Sequence, residues 1–130
     1  VKRAPLKRHG KKHSETKALD MICREIVMTR DHNQCRRCGK DASHGRALQS
    51  AHIFPKGQYP GLRWEISNLL ALCFRCHFHW WHKNPVEAMD WITRELGTKE
   101  IERLRLLALT RRRTDRKALR LYLGQMTTGR

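Results

Sequence analysis

Apolar residues recur at helical spacing through Ala18, Leu19, Ile22, Cys23, Ile26 and Val27, which predicts an amphipathic helix capped at Ser14 and ending near Arg30. Asp31-His32-Asn33 breaks the period. Leu48 to Phe54 reads as a short strand, the stretch through Pro55, Gly57, Pro60 and Gly61 as a long loop, and Trp64-Glu65-Ile66 as a second strand or turn. Leu69 to Leu72 is an unbroken apolar run leading into Cys73, and Cys76 to His82 reads as a helix carrying three histidines. Asn84-Pro85-Val86-Glu87 joins an Asn cap, a proline at the first helical position and an acid at the third, so a helix starts there and stops at Gly97. Thr98 caps a further helix with Ile101, Leu104, Leu107 and Ala108 facing inward. Beyond Arg111, a weak stripe of Leu119, Tyr122 and Leu123 predicts a basic helix that frays before Arg130. The expected organisation is a disordered basic arm over 1–13, a core domain over 14–97 and a basic helical extension over 98–130, with no internal repeat.

Charge narrows the function classes. The 130 residues hold 28 Lys and Arg against 12 Asp and Glu, a net +16, in a length that suits one domain. Such a field suits a polyanion, nucleic acid before anionic membrane, and is unusual for a free metabolic enzyme. No apolar run is long enough to span a membrane. The basic N-terminal stretch lacks the apolar segment of an export signal, so a reducing, cytoplasmic setting is expected. A hydrophobic content of 39% leaves a modest core that needs a staple. Five cysteines are present; four form Cys35-x-x-Cys38 and Cys73-x-x-Cys76, and Cys23 falls on the first helix's apolar stripe as a core thiol. An odd count without an export signal argues against a disulfide framework. Two such knuckles, the first turned by Gly39, supply four thiolates that close a tetrahedral Zn²⁺ site of structural type, unlinked core or redox cysteines being the alternative.

Between and just after the knuckles lie Ala51-His52-Ile53, Ile66-Ser67-Asn68-Leu69 and Cys76-His77. The joint pattern, CxxC, a strand His, Asn and then CxxCH, resembles the HNH endonucleases (His-Me finger, ββα-metal nucleases) in their zinc-bearing form, over about residues 15–97. The strings Lys7-Arg8 to Lys12, Arg63-Trp64 and Asn84-Pro85 to Gly97 resemble phage recombination nucleases of the NinG and Rap type. The resemblance implies an α+β fold: a small zinc-stapled ββα-metal nuclease core with flanking N- and C-terminal helices. It also implies a metal-dependent DNA endonuclease, acting in the bacterial host cytoplasm if phage-encoded, with branched or junction DNA among its substrates.

By that resemblance His52 is the general base, an imidazole that titrates near neutrality. Asn68 fixes the loop between the strands and so orients His52, with a ligand role open. His77 binds the catalytic divalent ion, Mg²⁺ or Mn²⁺, a zinc-ligand role in place of one cysteine being its alternative. The family commonly carries a metal-binding Asp or His just before the base, whereas this chain has Ala51. The missing ligand is therefore sought first in His82, then in His79, with Glu65 as the other option. Lys56, Arg63, Arg75 and Lys83 flank the site as clamps for the scissile strand. The Arg111, Arg112 and Arg113 run can neutralise phosphates without reading sequence. Trp64, Trp80, Trp81 and Trp91 read as core mass rather than base platforms, although consecutive Trp80 and Trp81 are not expected to face one core together. A non-catalytic zinc-ribbon DNA-binding accessory protein with a degenerate site, and an RNA-directed protein, are the other readings. Oligomeric state is left open.

Overall fold

The computed structural model describes residues 10–42, 47–111 and 114–128. Helix α1 runs Gly10–Arg30, strand β1 Gln49–His52 and strand β2 Leu69–Leu72; a π-helix follows at Arg75–Trp81, then α2 Pro85–Leu96, α3 Thr98–Thr110 and α4 Arg116–Thr128. The two strands form an antiparallel pair with Ala51 opposite Leu70 and His52 opposite Leu69. The architecture is thus a mixed, mostly helical fold around one small sheet.

β2 is buried at every position and lies between α1 and the π-helix. A strand covered on both faces needs no polar alternation, which is why Leu69 to Leu72 carries the pairing instead of the more polar Trp64-Glu65-Ile66. That segment runs instead into a short 3₁₀ turn at Ile66–Asn68. The core gathers Leu19, Cys23 and Val27 of α1, Ala51, Leu70 and Leu72 of the sheet, Ile92 of α2, Ile101 and Leu104 of α3, and Leu123 of α4. Cys23 is the core thiol its stripe predicts, and burial pushes its pKa up to about 12.

Three expectations about the helices change. α1 begins at Gly10, not at a Ser14 cap, so residues 10–13 are helical rather than part of a disordered arm. Residues 1–9 lie outside the described residues. Gly97 takes the cap position of α3, and Thr98 is its first helical residue. Trp80 and Trp81 are both buried, because they flank Trp91 with ring centroids 5.5 and 6.3 Å from it. α2 starts at Pro85 and ends at Gly97 as expected, although the Asn84 amide donates to the Trp80 carbonyl instead of capping α2.

The C-terminus of α1 is tied down by a carboxylate the sequence did not single out. Asp31, its side chain 2% exposed, accepts from Arg30 Nε and Nη2, from Arg36 Nη1 and from the backbone amide of Ala71. Burial alone would raise its pKa, but the Arg30 and amide hydrogen bonds and the two guanidinium charges outweigh it and hold the carboxyl below its ordinary value. One residue thereby joins α1, the first knuckle and β2.

Candidate metal centre and imidazole cavity

Both knuckles converge on one point. Gly39 takes a φ of +78°, a left-handed turn that returns the chain so that the Cys35 amide donates to the Lys40 carbonyl. The Arg36 amide donates to the Ala71 carbonyl, docking this turn onto β2. The second knuckle turns at the start of the π-helix, where the Cys76 amide points at Cys73 Sγ, 3.5 Å away. The four sulfurs of Cys35, Cys38, Cys73 and Cys76 lie within 4.8 Å of one another, Cys38 and Cys73 at 3.7 Å. Tetrahedral zinc with bonds of about 2.3 Å needs sulfurs roughly 3.8 Å apart, so the donor set fits such an ion and leaves no position open. Arg37 Nη1 lies 3.7 Å from Cys76 Sγ, and its guanidinium stacks 3.8 Å over the Trp80 ring, offsetting thiolate charge. Among the described residues this is the only cluster of three or more such ligands. His77 stands apart from it and is not a substitute for a cysteine.

On the far side of the π-helix is a cavity of about 640 Å³ lined by Ser50, His52, Lys56, His77, Phe78 and His82, closed by Trp81, Pro85, Ala88 and Met89. His52 sits at the end of β1, and its Nε2 is 3.0 Å from the Arg63 carbonyl oxygen. A carbonyl only accepts, so Nε2 carries the hydrogen and, in the neutral ring, Nδ1 is the free base. Burial lowers the His52 pKa; the carbonyl contact partly offsets this, and the charges of Lys56 and Arg63 lower it further. The neutral form prevails at neutral pH.

His77 is fixed by the same logic. Its Nδ1 lies 2.7 Å from Gln49 Oε1, which accepts, so Nε2 is left as a donor atom for a metal. Burial, then repulsion by His82 and His52, pushes its pKa down to about 4. His82 approaches it edge-on with ring centroids 4.4 Å apart. That pairing depends on the π winding, in which the His82 amide bonds back to the His77 carbonyl five residues earlier.

Asn68 is fully buried, and its amide is used up. Oδ1 accepts from the Phe54 amide, and Nδ2 donates to the carbonyls of Phe54 and Leu62. The Ile53 amide donates to the Asn68 carbonyl. These bonds hold the loop after His52 against the entry to β2 and leave no atom for a ligand role. Of the options for a further ligand, His82 lines the cavity with His77. His79 is exposed against Phe74, and Glu65 is held by Arg111 and Ser67. Ala51 is fully buried in the core and does not line the cavity.

The cations divide. Lys56 lines the cavity, while Arg75 and Lys83 are exposed and are not part of its lining. Arg63 instead grips Asp20 with two hydrogen bonds, Nε at 3.0 Å and Nη2 at 2.7 Å, and Asp20 also accepts from the Trp64 indole. The residue whose carbonyl contacts His52 is thereby anchored to α1 through its own side chain. Sequence reasoning missed Asp20 because its partners lie more than forty residues away. Arg111 pairs with Glu65 at 2.6 Å, and a Cβ on Gly61 would overlap its carbonyl, so it too is built into the fold. Arg112 and Arg113 lie outside the described residues.

A four-thiolate cluster and a cavity lined by His52, His77 and His82 thus share the short helix that follows β2. Residues 35–79 match the model of the HNH endonuclease family, a span that takes in both knuckles, His52, Asn68 and His77. Comparison with curated proteins and with solved structures gave no significant match. Among the described residues no helix is long and apolar enough to cross a membrane.

Proposed function

We propose that the protein is a metal-dependent endonuclease that hydrolyses DNA phosphodiester bonds, leaving 5′-phosphate and 3′-hydroxyl ends. The observation that carries this reading is the shared cavity: a neutral His52 with its Nδ1 available, facing His77 and His82. His52 takes the proton of the attacking water through Nδ1, the Arg63 carbonyl holding the ring in the required tautomer. Asn68 keeps that ring and its loop in register. His77, through Nε2, and His82 would hold the catalytic ion. The chemistry such an ion supplies when bound is Lewis-acid stabilisation of charge on the phosphate and the leaving oxygen. Of Mg²⁺ and Mn²⁺, a donor pair of imidazoles with no carboxylate among the described lining residues favours Mn²⁺. Lys56, Arg75 and Lys83 hold the scissile strand. The NinG-like strings extend the proposal to a phage recombination enzyme acting on branched DNA in a reducing cytoplasm.

Ala51 favours a second reading, a DNA-binding accessory protein that keeps the zinc-stapled fold and has lost its metal site. A time course with Mn²⁺ or Mg²⁺ on supercoiled plasmid and on a four-way junction, beside His52→Ala and a control with zinc-loaded protein and no added Mn²⁺ or Mg²⁺, separates the two. His52→Ala is expected to slow cutting about 10²- to 10⁴-fold with DNA affinity and zinc content unchanged. Undiminished cutting by that variant overturns the assignment, and tight binding with no cutting by the wild type moves it to the second reading.

A further inference from the structure

Two phenylalanines stand outside the core beside the cavity. Phe74 and Phe78 are each 38% exposed, whereas the tryptophans of the same segment are buried. Phe78 lines the cavity, its ring centroid 4.6 Å from His77 and 5.3 Å from His82, and Phe74 lies 5.0 Å behind it. Unlike the more exposed apolar side chains elsewhere on the surface, these two rings pack on each other, and Phe78 on the imidazoles of the cavity, which gives them a place at its edge. Their surroundings say what they bind. Lys56 lines the cavity, exposed Arg75 lies between the two rings in sequence and exposed Lys83 follows them, and no carboxylate lines the cavity among the described residues. The occupant is therefore anionic and carries flat apolar faces, which is the chemistry of a nucleic-acid strand. In a stacked duplex each base face is already covered by its neighbours. A protein ring reaches one only where the base is unpaired or drawn out of the stack.

We propose that Phe78, backed by Phe74, is a stacking platform for an unpaired base beside the scissile phosphate, so that the preferred substrate is DNA with a single-stranded segment at the cut. This rests on the nuclease reading above for its account of cleavage, but the stacking itself is measurable without cleavage. The experiment is fluorescence anisotropy with the structural zinc kept and no Mg²⁺ or Mn²⁺ added, using a labelled single-stranded oligonucleotide, the same strand bearing one abasic position, and a fully paired duplex. Each is titrated with wild type, Phe78→Leu and Phe78→Trp of the full chain. Phe78→Leu keeps an apolar side chain and removes the π face; at a partly exposed position it leaves the fold intact, which far-UV circular dichroism checks. The expected loss of single-strand affinity is about fivefold to a hundredfold for Phe78→Leu, with Phe78→Trp at or above wild type and duplex affinity little changed. The abasic strand should bind wild type more weakly than the intact strand does, and the two strands should bind Phe78→Leu alike. Equal loss on duplex and single strand, or an abasic penalty that survives Phe78→Leu, overturns the proposal. So does an affinity untouched by Phe78→Leu, which would leave the ring pair to a protein partner. A parallel cleavage assay keeps the two ideas apart: stacking without any His52-dependent cutting sinks the nuclease reading alone, and cutting without coupling sinks this one alone.

Discussion

Cys76 and His77 are neighbours in the chain and belong to two different kinds of site. Cys76 turns into a cluster where four thiolates meet and every coordination position is filled by protein. His77 turns into a cavity where one ring nitrogen is fixed by Gln49 and the other is left for something the protein does not supply. The first donor set is complete, as a structural metal site requires, while the second leaves a ring nitrogen without a protein partner. The difference lies in satisfaction, not in residue type: both regions are ligand-rich, but only one has run out of partners to accept.

The comparison breaks most sharply at the closed site. Cys35→Ser or Cys73→Ser should unfold the domain, since structural zinc contributes on the order of 10 kcal/mol in small zinc domains; circular dichroism with zinc analysis checks this, and a soluble, folded, metal-free variant refutes it. Asp31→Asn comes next. It strips the buried charge from Arg30 and Arg36 and should cost about 3 kcal/mol in denaturant unfolding at pH 7. Because the Asp31 pKa is depressed in the fold, its stabilisation is complete above the ordinary carboxylate value and is lost as pH falls through the folded one. The gap between wild type and variant should therefore narrow only below about pH 4, and a gap unchanged in acid would contradict the pairing. In the open site, Gln49→Leu frees the His77 tautomer and should weaken Mn²⁺ binding about 10- to 100-fold without loss of zinc, as read by calorimetry. The smallest effect separates the cations. Lys56→Gln should reduce the slope of log affinity against log salt by about one, whereas Arg63→Gln, removing a side chain already committed to Asp20, should leave it nearly unchanged.

The closed site was legible because its information is local: two cysteines three residues apart make a knuckle wherever the fold places it. His52, Asn68 and His77 were legible only as a joint spacing, and the structure adds why each stands where it does. What the sequence hid was long-range or unpatterned. β2 has no alternation, so periodicity could not separate it from the knuckle that follows. Asp31 looked like a helix breaker because nothing local shows that it is buried under Ala71. Arg63 looked like one more positive charge, since its partner lies in α1 and its useful atom is a backbone carbonyl. Phe74 and Phe78 carried no signal beyond the helix they stand on.

The π winding of residues 75–81 makes this segment sensitive to count rather than to composition. In α-helical winding five residues overshoot a full turn by roughly 140°, which would send His82 to nearly the opposite side from His77. The wider turn absorbs that excess and returns the two rings to within 4.4 Å of each other. A single-residue insertion between them, leaving both histidines and both knuckles chemically intact, would shift the phase of the helix and scatter the donor pair, whereas a deletion would leave them four apart and able to meet in ordinary α winding. Here the number of letters is itself part of the message, and conservative substitution is a gentler change than the gain of one more.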